Sequence, residues 1–192
     1  MSAMAELRDA TGHSHQRLER RLDVKRRFSD LAAYREHLQH MYGFCAGLER
    51  RLAQPALSAA LTDYAERRKL PLLRRDLVAL GIGSAVLAGL PSCETLPECA
   101  ETAEALGCLY VLEGATLGGQ TLLPMVRARL GLTADTGAAF LASYGDEVST
   151  MWQRFGGAVD AWCATPERSA RAAQAAVASF EALEAWLCGA RA

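Results

Sequence analysis

The chain has 192 residues, a length that fits one domain and can bury a core without cross-links. Hydrophobic residues make up 51% and aromatics 7%, as in an ordinary globular protein. With a net charge of −1, a pI near 6.4 and no recognition motif, nucleic acid is not an expected partner.

No membrane span is expected either. The longest apolar window, 77–90, is shorter than the roughly 20 residues needed to cross a bilayer and is interrupted by Gly81, Gly83 and Gly89. Glu6, Arg8 and Asp9 leave no apolar leader at the start. The six cysteines, Cys45, Cys93, Cys99, Cys108, Cys163 and Cys188, form no CxxC pair and no zinc spacing. These features point to a cytoplasmic chain with free thiols, most of them core fillers.

Helical periodicity runs throughout and strand alternation is absent, so the expected fold is all-α, one domain over 1–192. The first helix is predicted over 3–23. Asp30 is placed to cap a second, with Tyr34, Leu38, Met41, Tyr42, Cys45 and Leu48 at core spacing and Pro55 as its end. Further helices are expected over 57–69 and 72–80. Thr95-Leu96-Pro97-Glu98 fits a capping box and opens a long helix over 98–130 that stops at Gly131. Another is expected over 136–163, and Thr165-Pro166 starts the last, which ends near Cys188.

Charge is unevenly placed. Residues 1–75 hold 15 Lys+Arg against 9 Asp+Glu, and the remainder holds 6 against 13. The blocks Arg20-Arg21, Lys25-Arg26-Arg27, Arg67-Arg68-Lys69 and Arg74-Arg75 read as solvated helix faces, or as a basic rim for an anionic ligand or an acidic protein.

Two places carry chemistry. Gly114, Gly118 and Gly119 lie inside the long predicted helix, each costing roughly 1 kcal/mol relative to alanine. Gly114 and Gly118 share one face, almost bare of side chains beside Ala115, where a flat object can lie against backbone and the helix can kink. Near the N-terminus, Thr11, His15 and Glu19 stack at spacings of four. A metal-binding histidine usually gives its other ring N–H to a carboxylate, and Glu19 is placed to accept it. An iron-ligating helix facing a glycine-lined helix forms a slot for a porphyrin. Of the other histidines, His13 is expected to be exposed, and His37 and His40 to be surface or partner-facing groups.

The runs Leu7-Arg8-Asp9-Ala10-Thr11-x-x-x-His15-x-x-Leu18-Glu19, Leu109-Tyr110-Val111-Leu112-Glu113-Gly114-Ala115-Thr116-Leu117-Gly118-Gly119, Tyr144-Gly145 and Trp152-x-x-Phe155 stand in the order found in haem oxygenases. The chain resembles the bacterial members, most closely the type that supplies biliverdin to bacteriophytochromes.

The resemblance implies haem held between a proximal N-terminal helix and a glycine-kinked distal helix. Haem would be both substrate and cofactor, opened to biliverdin with release of CO and ferrous iron. His15 would be the iron ligand and Glu19 its partner. A neutral imidazole, unlike a thiolate, does not push strongly toward O–O cleavage at iron. Gly114, Ala115, Gly118 and Gly119 would bring distal backbone close to the haem, and Trp152 would reach the distal water network. Arg8 and Tyr110 match propionate-binding positions, an arrangement associated with α-meso cleavage. Thr11, Tyr144 and Phe155 would complete the pocket. Animal members carry an acidic residue where this chain has Ala115.

Electrons would come from outside, from a ferredoxin, flavodoxin or reductase, because the chain has no GxGxxG motif. A monomer is expected, with a bacteriophytochrome as a candidate acceptor of the product. The rivals are a haem carrier without turnover, a thiaminase-like hydrolase and a di-iron oxidase, the last of which needs carboxylates and histidines on several helices.

Overall fold

The computed structural model describes residues 2–189. Eleven α-helices run through them, with no strand among the described residues. α1 (Ala3–Arg21) begins where the Ser2 hydroxyl accepts the Ala5 N–H, and it buries Ala3, Leu7, Thr11, Ser14 and Leu18 along one stripe. α2 (Val24–Arg27) is a single turn capped by Asp23. α3 (Leu31–Leu52) starts at Asp30, whose carboxylate takes the Ala32 and Ala33 N–H groups at 2.9 Å each. Tyr34, Leu38, Met41, Cys45 and Leu48 are buried at the expected spacing, while Tyr42 is only half-buried.

The middle of the chain departs from expectation. Pro55 opens a helix rather than closing one, because its missing N–H is harmless at a first turn. The single helix expected over 57–69 is two short ones, α4 (Pro55–Ala60) and α5 (Tyr64–Arg67). α6 (Leu70–Ala79) follows, and then α7 (Ser84–Ala88), the broken remnant of the glycine-interrupted apolar window.

α8 (Thr102–Leu130) is the central element, and α3, α4, α9, α10 and α11 all pack against it. It starts later than expected. Residues 91–100 form no helix, and the capping acid is Glu104, which accepts the Glu101 N–H at 3.1 Å. Helix continues through all three glycines and Pro124, and ends at Gly131 in the left-handed conformation (φ 68°).

The helix expected over 136–163 is interrupted, because Ser143 (φ 47°) and Gly145 (φ 57°) turn the chain. α9 (Ala139–Ala142) precedes the break, and α10 (Val148–Trp162) follows a short 3-10 turn. Buried Asp76 of α6 caps α9 from outside, accepting the Ala139 and Phe140 N–H groups at 2.7 Å each. Burial pushes its carboxyl up to about 6 against the pull of those donors. α11 (Pro166–Cys188), capped by Thr165, lies against both α1 and α8.

Candidate functional site

His15 stands beside the buried stripe of α1, next in sequence to buried Ser14. Its side chain is 55% exposed. The ring meets Phe180 of α11 edge-on, with centroids 5.7 Å apart. Nδ1 lies 3.6 Å from a Glu19 carboxylate oxygen, an ion-pair distance slightly beyond a hydrogen bond.

α1 meets α8 one turn earlier. Tyr110 is buried, and burial raises its hydroxyl pKa against the opposing effects of the Thr11 side chain and the Arg8 charge. Thr11 is itself buried and donates to the Leu7 carbonyl at 2.7 Å, so its hydroxyl is already engaged. Arg8 is 75% exposed, with Asp9 its partner at 3.5 Å. His15 and Gly114 each lie one helical turn beyond this meeting point.

The bare face of α8 opens onto space. A Cβ added at Gly114 or at Gly118 would meet nothing within 4 Å, and Ala115 beside them is half-buried. Gly119 belongs to the opposite side. A Cβ there would stand 2.5 Å from the Leu141 carbonyl oxygen, so this glycine lets α9 approach and does not line the open face. That corrects its expected place beside a ligand.

Trp152 is half-buried and packs on Tyr110 (5.5 Å) and Phe155 (5.9 Å). Phe155 has no exposed surface, so it backs Trp152 rather than walling a pocket, and its ring also faces the Arg67 guanidinium. Tyr144 likewise turns inward. It donates to the Glu113 carboxylate at 2.7 Å and accepts from Lys69 Nζ at 2.6 Å.

This inward cluster is what sequence reasoning missed. Glu113 immediately precedes the bare face and is fully buried. Arg67 (2.6 Å) and Lys69 (2.9 Å), both buried, pair with it, and Asp63 takes Arg67 in a bidentate contact at 2.7 Å. Burial pulls the Lys69 ammonium below the usual lysine range, with Glu113 opposing. A signal existed, since Glu113 is the lone charge in the apolar run from Leu109 to Leu117 and a buried charge needs a partner. The Arg67-Arg68-Lys69 block was expected to be solvated. Instead Arg68 faces outward to buried Glu49 while its neighbours turn in.

His37 was expected at the surface. It is buried against Phe28 at 5.0 Å, and burial lowers its ring pKa to about 3. His13 is exposed.

A cleft of about 750 Å³ lies elsewhere, between Arg21, Arg26, Arg27 and Trp186. Gly114 faces open space and His15 is more than half exposed, and neither lines that cleft. Among the described residues, no three His, Cys, Asp or Glu side chains converge as a metal-ion site.

The same arrangement of helices occurs in haem oxygenases of known structure. The Neisseria meningitidis heme oxygenase is 23% identical, with a TM-score of 0.83 over 97% of this chain and 90% of that one. The Leptospira interrogans enzyme is 19% identical, with a TM-score of 0.79 over 98% and 99% of the two chains. Heme oxygenase 2 of Chlamydomonas reinhardtii is 20% identical, with a TM-score of 0.77 over 97% and 96%. At these identities the likeness is one of fold.

Sequence carries the identification further. A heme oxygenase of Xanthomonas campestris pv. campestris is 32% identical over 129 residues, 66% of this chain and 71% of that protein. The Heme oxygenase family pattern matches residues 1–188, so the chain belongs to the haem oxygenase family.

Proposed function

We propose a division of roles for the haem-cleaving reaction of this enzyme. The observation that carries it is the bare, open face of Gly114, Ala115 and Gly118 set one turn from the point where the His15-bearing helix meets α8. A flat apolar substrate fits a face without side chains, and an imidazole on the neighbouring helix fits a metal at its centre. When bound, haem supplies both the iron that activates dioxygen and the carbon skeleton that is opened to biliverdin.

The chain's own residues bind, orient and restrict. His15 would hold the haem iron through Nε2, because Glu19 faces Nδ1 and would select the tautomer. Arg8 and the Tyr110 hydroxyl would hold one propionate and so orient the substrate toward cleavage at the α-meso carbon. No acidic side chain of α8 lies on the open face. Ala115 takes that place, and Glu113 is held behind by Arg67, Lys69 and Tyr144. With haem bound, backbone groups of Gly114 and Gly118 would hold the water that supplies protons, and the Trp152 indole would support it. Electrons come from a soluble donor such as a ferredoxin, flavodoxin or reductase, and the product passes to iron recovery or to a bacteriophytochrome.

The deciding experiment is a hemin titration of the purified protein, followed by ferredoxin and NADPH, or ascorbate, in air. A one-to-one complex with a histidine-type Soret band that decays to a biliverdin spectrum is expected. A stable complex with every donor would make the chain a haem carrier. In His15→Ala the band should be lost and restored by added imidazole; an unchanged band would remove His15 from the axial position.

A further inference from the structure

Two thiols away from the open face lie within reaction distance of one another. The Cys99 and Cys108 sulfur atoms are 3.0 Å apart, and both residues are buried. Cys108 belongs to the first half of α8, where it faces the Ala175 carbonyl of α11. Cys99 ends the non-helical segment that leads into α8. Its backbone is in the left-handed region (φ 55°), unusual for a residue with a Cβ. Gln54 of the α3–α4 connection holds the Cys99 carbonyl, and the Cys99 thiol also lies 3.5 Å from the Pro97 carbonyl.

An unusual turn held from outside thus puts a thiol on the sulfur of the central helix. A disulfide sulfur–sulfur bond is about 2.05 Å long, so closure needs a shift of only about 1 Å. No other sulfur–sulfur contact is seen among the described residues. Cys45 and Cys163 are buried apart, and Cys93 turns to the Thr95 carbonyl.

We propose that Cys99 and Cys108 form a reversible dithiol–disulfide pair, oxidised by hydrogen peroxide, that staples the entry segment to the central helix. In the first step the Cys108 thiolate attacks the peroxide oxygen, giving a Cys108 sulfenic acid and hydroxide, which leaves as water. In the second, the Cys99 sulfur displaces water from the sulfenic acid and loses its proton. Two thiols and one peroxide become one disulfide and two waters. A dithiol reductant reverses the change by exchange.

The Cys108 thiol is the more acidic of the two, because Cys99 donates to it. Peroxide reaches the pair by local opening of segment 91–100, which lies outside any helix. Because the sulfurs already meet, oxidation stiffens the fold rather than rearranging it. The inference stands independently of how haem is held.

The test treats the reduced protein with hydrogen peroxide, then alkylates it under denaturing conditions and digests it with a glutamate-specific protease. Trypsin is unsuitable, because no Lys or Arg lies between Arg75 and Arg127. Cleavage after Glu98, Glu101, Glu104 and Glu113 puts Cys99 in fragment 99–101, Cys108 in 105–113, and Cys93 in a third fragment. The expected result is a cross-linked mass of 99–101 with 105–113, abolished by dithiothreitol. The thermal midpoint of the oxidised form should rise by roughly 5 °C, with an unchanged circular dichroism spectrum. Cys99→Ser should show neither the cross-link nor the rise. Quantitative alkylation of both fragments after peroxide, a cross-link from either to Cys93, or a lost helical spectrum on oxidation would overturn the proposal.

Discussion

The two sides of α8 around residue 114 differ in almost every physical respect. On one side, Gly114, Ala115 and Gly118 leave bare backbone facing open space. On the other, Glu113 sits in a buried ionic cluster and Gly119 is pressed against the backbone of α9. Identical residues therefore do opposite work one position apart. Gly118 keeps a surface clear, whereas Gly119 lets two helices touch. The open side contributes nothing visible to the fold, while the closed side fixes which way the open side points. Arg67 and Lys69, from the end of α5 and the connection after it, and Tyr144, from the turn after α9, converge on one carboxylate behind the helix and hold its rotation about its own axis.

Removing that carboxylate should have the largest effect. Glu113→Ala strands Arg67 and Lys69 without their shared acceptor, and breaking a buried pair in this way costs about 3–5 kcal/mol. The thermal midpoint should fall by roughly 10 °C. The double variant Glu113→Ala/Lys69→Met, which removes one stranded cation, should recover part of the loss. A fall of less than about 1 kcal/mol in Glu113→Ala would mean that Asp63 and the Met151 carbonyl suffice for Arg67, and the contrast between the two sides would weaken.

The glycines give the sharpest contrast. Gly119→Ala drives a methyl group into the Leu141 carbonyl and should destabilise by about 1–3 kcal/mol. Gly114→Ala meets nothing within 4 Å and should stabilise the free protein by up to about 1 kcal/mol, because alanine is the better helix former. The same substitution should weaken hemin binding or slow its turnover, since the methyl group would stand on the face proposed for the substrate. Urea denaturation of both variants, with and without hemin, checks the opposite signs. Equal destabilisation would mean that the open face is packed after all.

Much of this was legible in the sequence, for physical reasons that also mark where it stopped. The helical periods of α1, α3 and α11 and their caps at Asp30 and Thr165 are local, and local chemistry is written in neighbouring residues. The bare face could be read because Gly114 and Gly118 fall on one side by helical geometry alone. What Gly119 packs against could not, because that depends on where α9 lies.

The uneven charge is the clearest case. Residues 1–75 read as a basic rim, yet many of their cations pair across the fold with acids of the second half. Arg17 and Arg21 bind Glu184, Arg50 binds Glu94, Arg51 binds Glu98, Arg75 binds Asp135, and Arg67 and Lys69 share Glu113. The asymmetry is largely an internal complementarity. Pairing across 46 residues, as between Arg67 and Glu113, leaves no local trace.

The smallest effect on folding belongs to the open side's charged edge. Arg8 is three-quarters exposed and pairs with its neighbour Asp9 at 3.5 Å, so Arg8→Ala should leave stability within about ±0.5 kcal/mol. Its expected consequence is chemical. On the proposed division of roles, losing the Arg8 guanidinium would remove one propionate anchor and leave the substrate free to turn. Product analysis by chromatography should then show biliverdin isomers from more than one meso position, with hemin affinity reduced severalfold. Arg8→Lys keeps the charge but loses the bidentate fork, and should fall between the two. If Arg8→Ala gives one unchanged isomer at unchanged affinity, the orientation must be set by Tyr110 and the walls of the slot. The open side would then owe its selectivity to shape alone.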